Sequence, residues 1–149
     1  MLVFKFGGAS VKDAAGITNL ARIVKRYAGQ PLLVVVSAMG KTTNALESLT
    51  KAYIEQSDEI HLVYNDVKKY HYDILRELFE PGHTIFDDIE NTFVEIDWMI
   101  EDEPHDDPDF IYDQIVSIGE LVSTRIVNAY LNQVGVLSKW VDALSLIHI

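Results

Sequence analysis

Hydrophobic positions divide the chain into short apolar runs and longer stretches with three- and four-residue spacing. Leu2 to Phe6 is apolar apart from Lys5 and is bounded by Gly7-Gly8. Leu32 to Val36 is an unbroken, valine-rich run after Pro31. Each predicts a buried strand. Between them Ile17, Leu20, Ala21, Val24 and Ala28 share one helical face, and that helix should end near Gly29. Strand, helix, strand is a βαβ unit, so the strands should run parallel and both following loops should leave the sheet at its carboxyl edge.

Beyond the second strand lies the loop Ser37-Ala38-Met39-Gly40-Lys41-Thr42-Thr43-Asn44, followed by Leu46, Leu49 and Tyr53 in helical spacing. Asn44 with Glu47 has capping-box spacing, which predicts a helix starting near Asn44. Ile60, Val63, Tyr64, Val67, His71, Ile74, Leu75 and Leu78 continue in helical register until Pro81-Gly82. Ile85, Ile89, Phe93, Ile96 and Ile100 predict an antiparallel partner, so that residues of about 58–109 read as a helical hairpin inserted in an α/β core. Glu101 to Asp109, acidic with two prolines, reads as a solvated loop with no metal-ligand spacing. Tyr112 to Leu131 is helical again, broken locally at Gly119, and Val136 to Val141 predicts a third strand.

Composition narrows the class. The 149 residues are 48% apolar, enough for a core without disulfide or metal staples. Twelve basic against 23 acidic residues give a net charge of -11, and the pI is near 4.7. General affinity for nucleic acid or an anionic membrane is therefore not expected, and an anionic ligand must be met by local groups. There is no cysteine, which fits a reducing compartment. The N-terminus lacks a signal-peptide pattern and no run approaches membrane-spanning length, so the expectation is a soluble, cytoplasmic protein.

Three segments could carry chemistry. Lys5-Phe6-Gly7-Gly8-Ala9-Ser10 places a lysine and paired glycines at the end of a strand, where backbone N–H groups can approach a phosphate. A plain strand-to-loop turn is the competing reading, and a lysine within an apolar strand favours a charged partner. Gly40-Lys41-Thr42 imitates the end of a P-loop, but the required earlier glycine is Val35. The segment reads instead as a polar loop at a helix N-terminus, offering the Ser37 and Thr43 hydroxyls to an anion, or as simple capping by Thr43 or Asn44. In Ser117-Ile118-Gly119-Glu120 the carboxylate follows a glycine: it either complements a helix dipole or receives a substrate ammonium. Arg125 is expected in a surface ion pair, His71 in the core or an interface, and Trp98 and Trp140 in packing. His61, His71, His83, His105 and His148 show no metal spacing.

In this order and spacing the segments resemble the aspartokinases of the amino-acid kinase family. That family opens with Lys-Phe-Gly-Gly-Thr-Ser-Val, and this chain has Lys5 to Val11 with Ala9 in place of the threonine. The family's Ser-Ala-Met-Gly and Thr-Asn appear as Ser37 to Gly40 and Thr43-Asn44, its Ser-x-Gly-Glu-x-x-Ser as Ser117 to Ser123, and its Val-Asp-Ala as Val141 to Ala143. The resemblance implies a three-layer αβα sandwich with a mainly parallel sheet and a helical insertion. It also implies transfer of the ATP γ-phosphoryl group to the side-chain carboxylate of L-aspartate, giving 4-phospho-L-aspartate, the first step towards lysine, threonine and methionine. Lys5 would be catalytic, stabilising phosphoryl oxygens with Mg²⁺. Lys5, Phe6, Gly7, Gly8 and Ser10 would bind the nucleotide phosphates, while Ser37, Thr43 and Glu120 would bind aspartate, Glu120 at its α-ammonium. No residue is assigned to a metal.

Residues 1–143 match the N-terminal portion of the family's catalytic domain. The family pattern continues Val-Asp-Ala-Arg, whereas residues 144–149 depart from it. The segments for the nucleotide base, the aspartate α-carboxylate, the catalytic aspartate and the regulatory ACT domains are not matched, so the isolated chain is expected to be inactive. An open sheet edge and bare helix faces would favour a homo-oligomer. Two other readings stay open: a kinase for glutamate, acetylglutamate or a nucleoside monophosphate, and a non-catalytic binding or assembly module.

Overall fold

The computed structural model describes residues 1–143, so the expectations for the 144–149 tail and for His148 lie outside the described residues. β1 (Leu2–Phe6) pairs in parallel with β2 (Leu32–Val36), Leu2 opposite Leu32 and Phe6 opposite Val36. α1 (Ala14–Lys25) crosses between them. The Asp13 carboxylate starts that helix by accepting from the Gly16 N–H at 2.8 Å. Ile17, Leu20, Ala21 and Val24 are buried as the spacing predicts. Ala28 is exposed, because the helix stops at Lys25 and a turn leads to Gly29 at φ +92°.

The strands are half-buried rather than buried on both faces. Phe6, Leu32 and Val34 pack with buried Val36 against the core, while Val3, Lys5, Leu33 and Val35 alternate onto the opposite face and are exposed. Among the described residues nothing covers that second face. The described residues form a mixed α/β fold with a small two-stranded parallel sheet and five α-helices, an incomplete sandwich.

The remaining helices are α2 (Thr42–Ile54), α3 (Ile60–Leu78), α4 (Ile85–Glu101) and α5 (Pro108–Gln133). α2 packs on α3 and α5, and α4 packs on the same two, closing a four-helix cluster around Leu49, Tyr64, Phe93, Ile115 and Val122. α3 and α4 run antiparallel: Tyr64 lies near Asp97, and Tyr72, two turns later, lies between Glu90 and Asp97 and within reach of Asp87. Buried hydroxyls are satisfied locally, Thr50 donating to Leu46 O and Thr92 to Asp88 O, both at 2.8 Å. One helix start differs from the predicted chemistry, and another uses a cap that spacing did not indicate. α2 begins at Thr42, and Glu47 accepts from the Tyr112 hydroxyl at 2.7 Å instead of closing a capping box. α4 is capped by His83, whose Nδ1 accepts from the Ile85 N–H at 3.0 Å.

Val136 to Val141 forms no strand. Its backbone is claimed by α5: Asn132 Oδ1 accepts from the Ser138 N–H at 3.0 Å, and Asn132 Nδ2 donates to Ser138 O at 3.1 Å. A groove of about 650 Å³ separates this segment from β2. Trp140 packs as expected, donating from Nε1 to Thr124 Oγ1 at 2.9 Å. Arg125 lies over the Trp140 ring at 4.4 Å, not in the expected surface ion pair. Trp98 is exposed on α4, against the packing expectation, because the buried face of that helix is already filled by Ile85, Ile89, Phe93 and Ile96.

Candidate functional site

Parallel pairing ending at Phe6 and Val36 delivers both following loops to one edge of the sheet, the edge where α/β folds bind ligands. Main-chain bonds then join the loops. The Ser37 N–H donates to Phe6 O at 3.0 Å, and the Gly40 N–H donates to Gly8 O, also at 3.0 Å. The first loop continues as a short 3-10 helix, Gly8–Val11, in which the Ser10 N–H donates to Gly7 O at 2.9 Å.

The paired glycines are there for different reasons. A Cβ on Gly8 would lie 2.7 Å from Gly40 O and 2.9 Å from Ala38 O, so only glycine lets the loops meet. Gly7 has open space where a Cβ would project. No packing demand accounts for it; its carbonyl accepts from Ser10, and its N–H is left to face an incoming group.

A third element reaches the same place. α5 runs unbroken through Gly119, correcting the expected local break and placing Glu120 in mid-helix rather than in a first turn. Glycine is accommodated there by close packing: a Cβ would lie 3.0 Å from Leu46 Cδ1, 3.1 Å from Thr42 Cγ2 and 3.3 Å from Ala38 Cβ. One turn later the Ser123 hydroxyl donates to Ser37 O at 2.7 Å. Gly119 and Ser123 thus fix α5 against the second loop, with Glu120 exposed beside the contact.

Lys5 is exposed on the open face of β1 opposite Val35, and its ammonium is solvated. The cost of burying a charge therefore does not account for it, as the sequence reading had supposed. Ser10 and Thr43 are also exposed, Thr43 in the first turn of α2, while Ser37 is half-buried between the loops. Phe6 packs its ring against the core, and its carbonyl is taken by the Ser37 N–H, so its part is to place the loop rather than to touch a ligand. α2 begins without a side-chain cap; the Thr42 N–H donates to Met39 O at 3.0 Å, which leaves the Thr43 and Asn44 N–H groups of its first turn to meet an anion.

His71 has the core role its position suggested, and the fold shows what it supports. Its imidazole is fully buried, Nδ1 lies 2.8 Å from Val67 O, and Nε2 lies 3.5 Å from Thr42 Oγ1. A carbonyl only accepts, so Nδ1 carries the proton. Burial holds the His71 pKa below the ordinary 6.5, partly opposed by the bond to Val67. The Thr42 hydroxyl donates to Met39 O at 2.6 Å, so α3 buttresses the base of the second loop. Sequence spacing gave no sign of this support, nor of the Ser123 contact to Ser37.

The architecture has known counterparts. A family-wide sequence description, the Amino acid kinase family, matches residues 1–148. The chain belongs to the amino acid kinase family. It is 33% identical to aspartokinase 1, chloroplastic, of Arabidopsis thaliana, over 95% of this chain and 25% of that protein. To the bifunctional aspartokinase/homoserine dehydrogenase 2 of Escherichia coli it is 31% identical, over 93% of this chain and 17% of the relative. The crystal structure of E. coli aspartokinase III in complex with aspartate and ADP superposes with a TM-score of 0.82 at 29% identity, covering 95% of this chain and 31% of that one. This amino acid kinase chain thus spans less than a third of the length of these relatives.

Among the described residues no three carboxylate or imidazole groups gather as a metal cage. Mg²⁺ is ordinarily held by substrate phosphates with one or two carboxylates. These residues do not build a site for it alone.

Proposed function

We propose that this chain carries the aspartate- and phosphate-binding part of an aspartate kinase, an enzyme that transfers the ATP γ-phosphoryl group to the side-chain carboxylate of L-aspartate. The observation that carries this reading is the junction of three elements at one sheet edge: the Gly7-Gly8 loop, the Ser37 to Thr43 loop and Gly119-Glu120 of α5. The first offers free backbone N–H groups and, from β1, the Lys5 ammonium, suited to phosphoryl oxygens. The second offers Ser37, Thr43 and an uncapped helix N-terminus to an anionic acceptor. The third offers a carboxylate, which an acceptor with a free ammonium can use and an acetylated amine cannot.

Phosphoryl transfer depends mainly on positioning and on neutralising charge on the equatorial oxygens. In this reading Lys5 and the loop amides hold the phosphates, while Ser37, Thr43 and Glu120 orient aspartate with its side-chain carboxylate towards them. Residues 1–143 then form the N-terminal portion of a catalytic domain, with about 58–109 as its helical insertion, working with Mg²⁺ and as a homo-oligomer in the cytoplasm. Conserving the α-ammonium contact separates this from an acetylglutamate kinase.

Calorimetry on the 149-residue chain tests the reading. L-aspartate is expected to bind, succinate, which lacks the ammonium, to bind more weakly, and Glu120→Gln to remove that difference. The chain alone is expected to give no hydroxylamine-trapped acyl phosphate. Silence towards both ATP and aspartate would refute the kinase reading and favour an assembly module, for which the bare apolar face of Val3, Leu33 and Val35 is suited.

A further inference from the structure

Tyr70 stands on α3, within the helical cluster, yet its hydroxyl reaches the junction of the two loops. The O–H donates to the main-chain carbonyl of Lys12, the residue that closes the 3-10 turn after Gly7-Gly8. The same oxygen lies 2.6 Å from where a Cβ on Gly40 would stand, with the ring Cζ at 3.4 Å and Lys12 Cβ at 3.6 Å. Gly40 has φ +55°, and its N–H is the donor to Gly8 O at 3.0 Å. One phenolic oxygen is therefore packed between the end of the first loop and the turn of the second.

Beside it on α3, buried His71 supports the second loop through Thr42, whereas Tyr70 also reaches the first loop. A cavity of about 380 Å³, bordered by Lys41, Thr42, Ala45, Val63 and Asp66, opens between α2 and α3 next to the Tyr70 ring. Across such a gap dispersion contacts are lost, and the Tyr70 hydroxyl is the link from α3 to the first loop at Lys12. Tyr70 is half-buried, and burial, followed by the nearby Asp13 carboxylate, raises its pKa, which keeps the phenol protonated as a donor.

We propose that Tyr70 is a positioning residue that fixes the phosphate-side loop and the aspartate-side loop in one register from the helical layer. The proposal deepens the aspartate kinase reading and rests on it for the identity of the ligand. It concerns a side chain that touches neither substrate: Tyr70 acts through Lys12 O and the Gly40 turn. It also gives the helical hairpin a part in the site, since any shift of α3 along its axis moves the hydroxyl off both loops.

The test uses the 149-residue chain and Tyr70→Phe, which keeps the ring and deletes only the hydroxyl. Amide exchange followed by NMR reads the loop directly. Loss of one hydrogen bond at the junction should speed exchange of the Gly40 N–H by about tenfold, with the amides of Leu49 and Ile115 in the helical core unchanged. Equal Gly40 rates in the two proteins overturn the proposal, as does a uniform acceleration of all three amides, which would mark a merely structural role. Gly40→Ala adds an independent arm: it should destabilise the wild-type chain more than the Tyr70→Phe chain, because the hydroxyl it strikes is gone in the latter. Strictly additive effects overturn the proposed contact.

Calorimetry separates this inference from the functional reading. If the wild-type chain binds L-aspartate, Tyr70→Phe should weaken it by about tenfold, and an unchanged affinity overturns the positioning role while the kinase reading survives. If the wild-type chain binds no aspartate, the kinase reading fails, and the exchange and additivity results still decide whether Tyr70 holds the loops.

Discussion

Around Phe93 the neighbours are side chains: the rings of Tyr64, His71 and Tyr72 lie within 5.7 to 6.4 Å of its own, and its carbonyl accepts from the Tyr64 hydroxyl at 2.9 Å. Around Gly8 the neighbours are main-chain atoms of Ala38 and Gly40, and no side chain intervenes. The helical cluster is built by filling volume, and the sheet edge by removing side chains so that backbones can meet. Buried apolar area concentrates in the first region, whereas free donors concentrate in the second. Stability and ligand recognition should therefore respond to different substitutions.

The largest effect is expected at the centre of the helical cluster. Phe93→Ala removes a fully buried ring and should cost about 3–5 kcal/mol. Chemical denaturation should show a lower midpoint with little change in slope. If the cost is below about 1 kcal/mol, the cluster is not the stabilising half of the molecule.

Gly8→Ala probes the other region. Its new Cβ would meet two carbonyl oxygens below 3.0 Å, and backbone rather than a flexible side chain would have to move. We expect a destabilisation of about 1–3 kcal/mol together with loss of detectable aspartate binding by calorimetry. Gly7→Ala, with open space at the Cβ position, should leave stability unchanged. Equal destabilisation by the two substitutions would erase the distinction drawn between the glycines.

This contrast also explains what was legible in the sequence. Periodicity located all five helices and both paired strands, because burial of Ile17, Leu20, Ile74, Phe93 and Ile115 is a property of spacing alone. The segments at Gly7-Gly8 and Ser37 to Thr43 were legible as loops leaving one sheet edge, because glycines and hydroxyls follow each apolar run. What escaped notice depends on tertiary partners. Val136 to Val141 has strand-like composition, but Asn132 takes its backbone groups. Asn44 and Glu47 have capping spacing, but Tyr112 captures the carboxylate. The break expected at Gly119 reflects helix propensity, which close packing on Leu46 and Thr42 overrides.

His71 joins the two regions, and pH tests the join. Its folded pKa lies below 6.5 because burial penalises the charged imidazole. As pH falls below about 6.5 the unfolded chain takes up the proton first, so this contribution is fully present above that value and is lost progressively on the way down to the folded pKa. Between pH 7.5 and 5.5 the loss is at most about 1.4 kcal/mol, or about 4.5 °C in Tm. His71→Gln should flatten that part of the pH profile. An unchanged slope in the variant would mean that the imidazole is not the group responsible.

A small effect on stability, and the sharpest separation of the two regions, is expected at Lys5. Its side chain is solvated on the open sheet face, opposite Val35 and remote from the packed side of β1. Lys5→Ala should therefore change stability by no more than about 0.5 kcal/mol. If the lysine neutralises phosphoryl oxygens, the same substitution should abolish turnover in an enzyme of its relatives' length that carries these 143 residues, with acyl phosphate trapped by hydroxylamine as the readout. Unchanged kcat would remove Lys5 from the chemistry and leave the loop amides as the phosphate-binding groups. A large loss of stability would instead show that the open face of β1 is structural, and that chemistry and packing are not divided between the two regions.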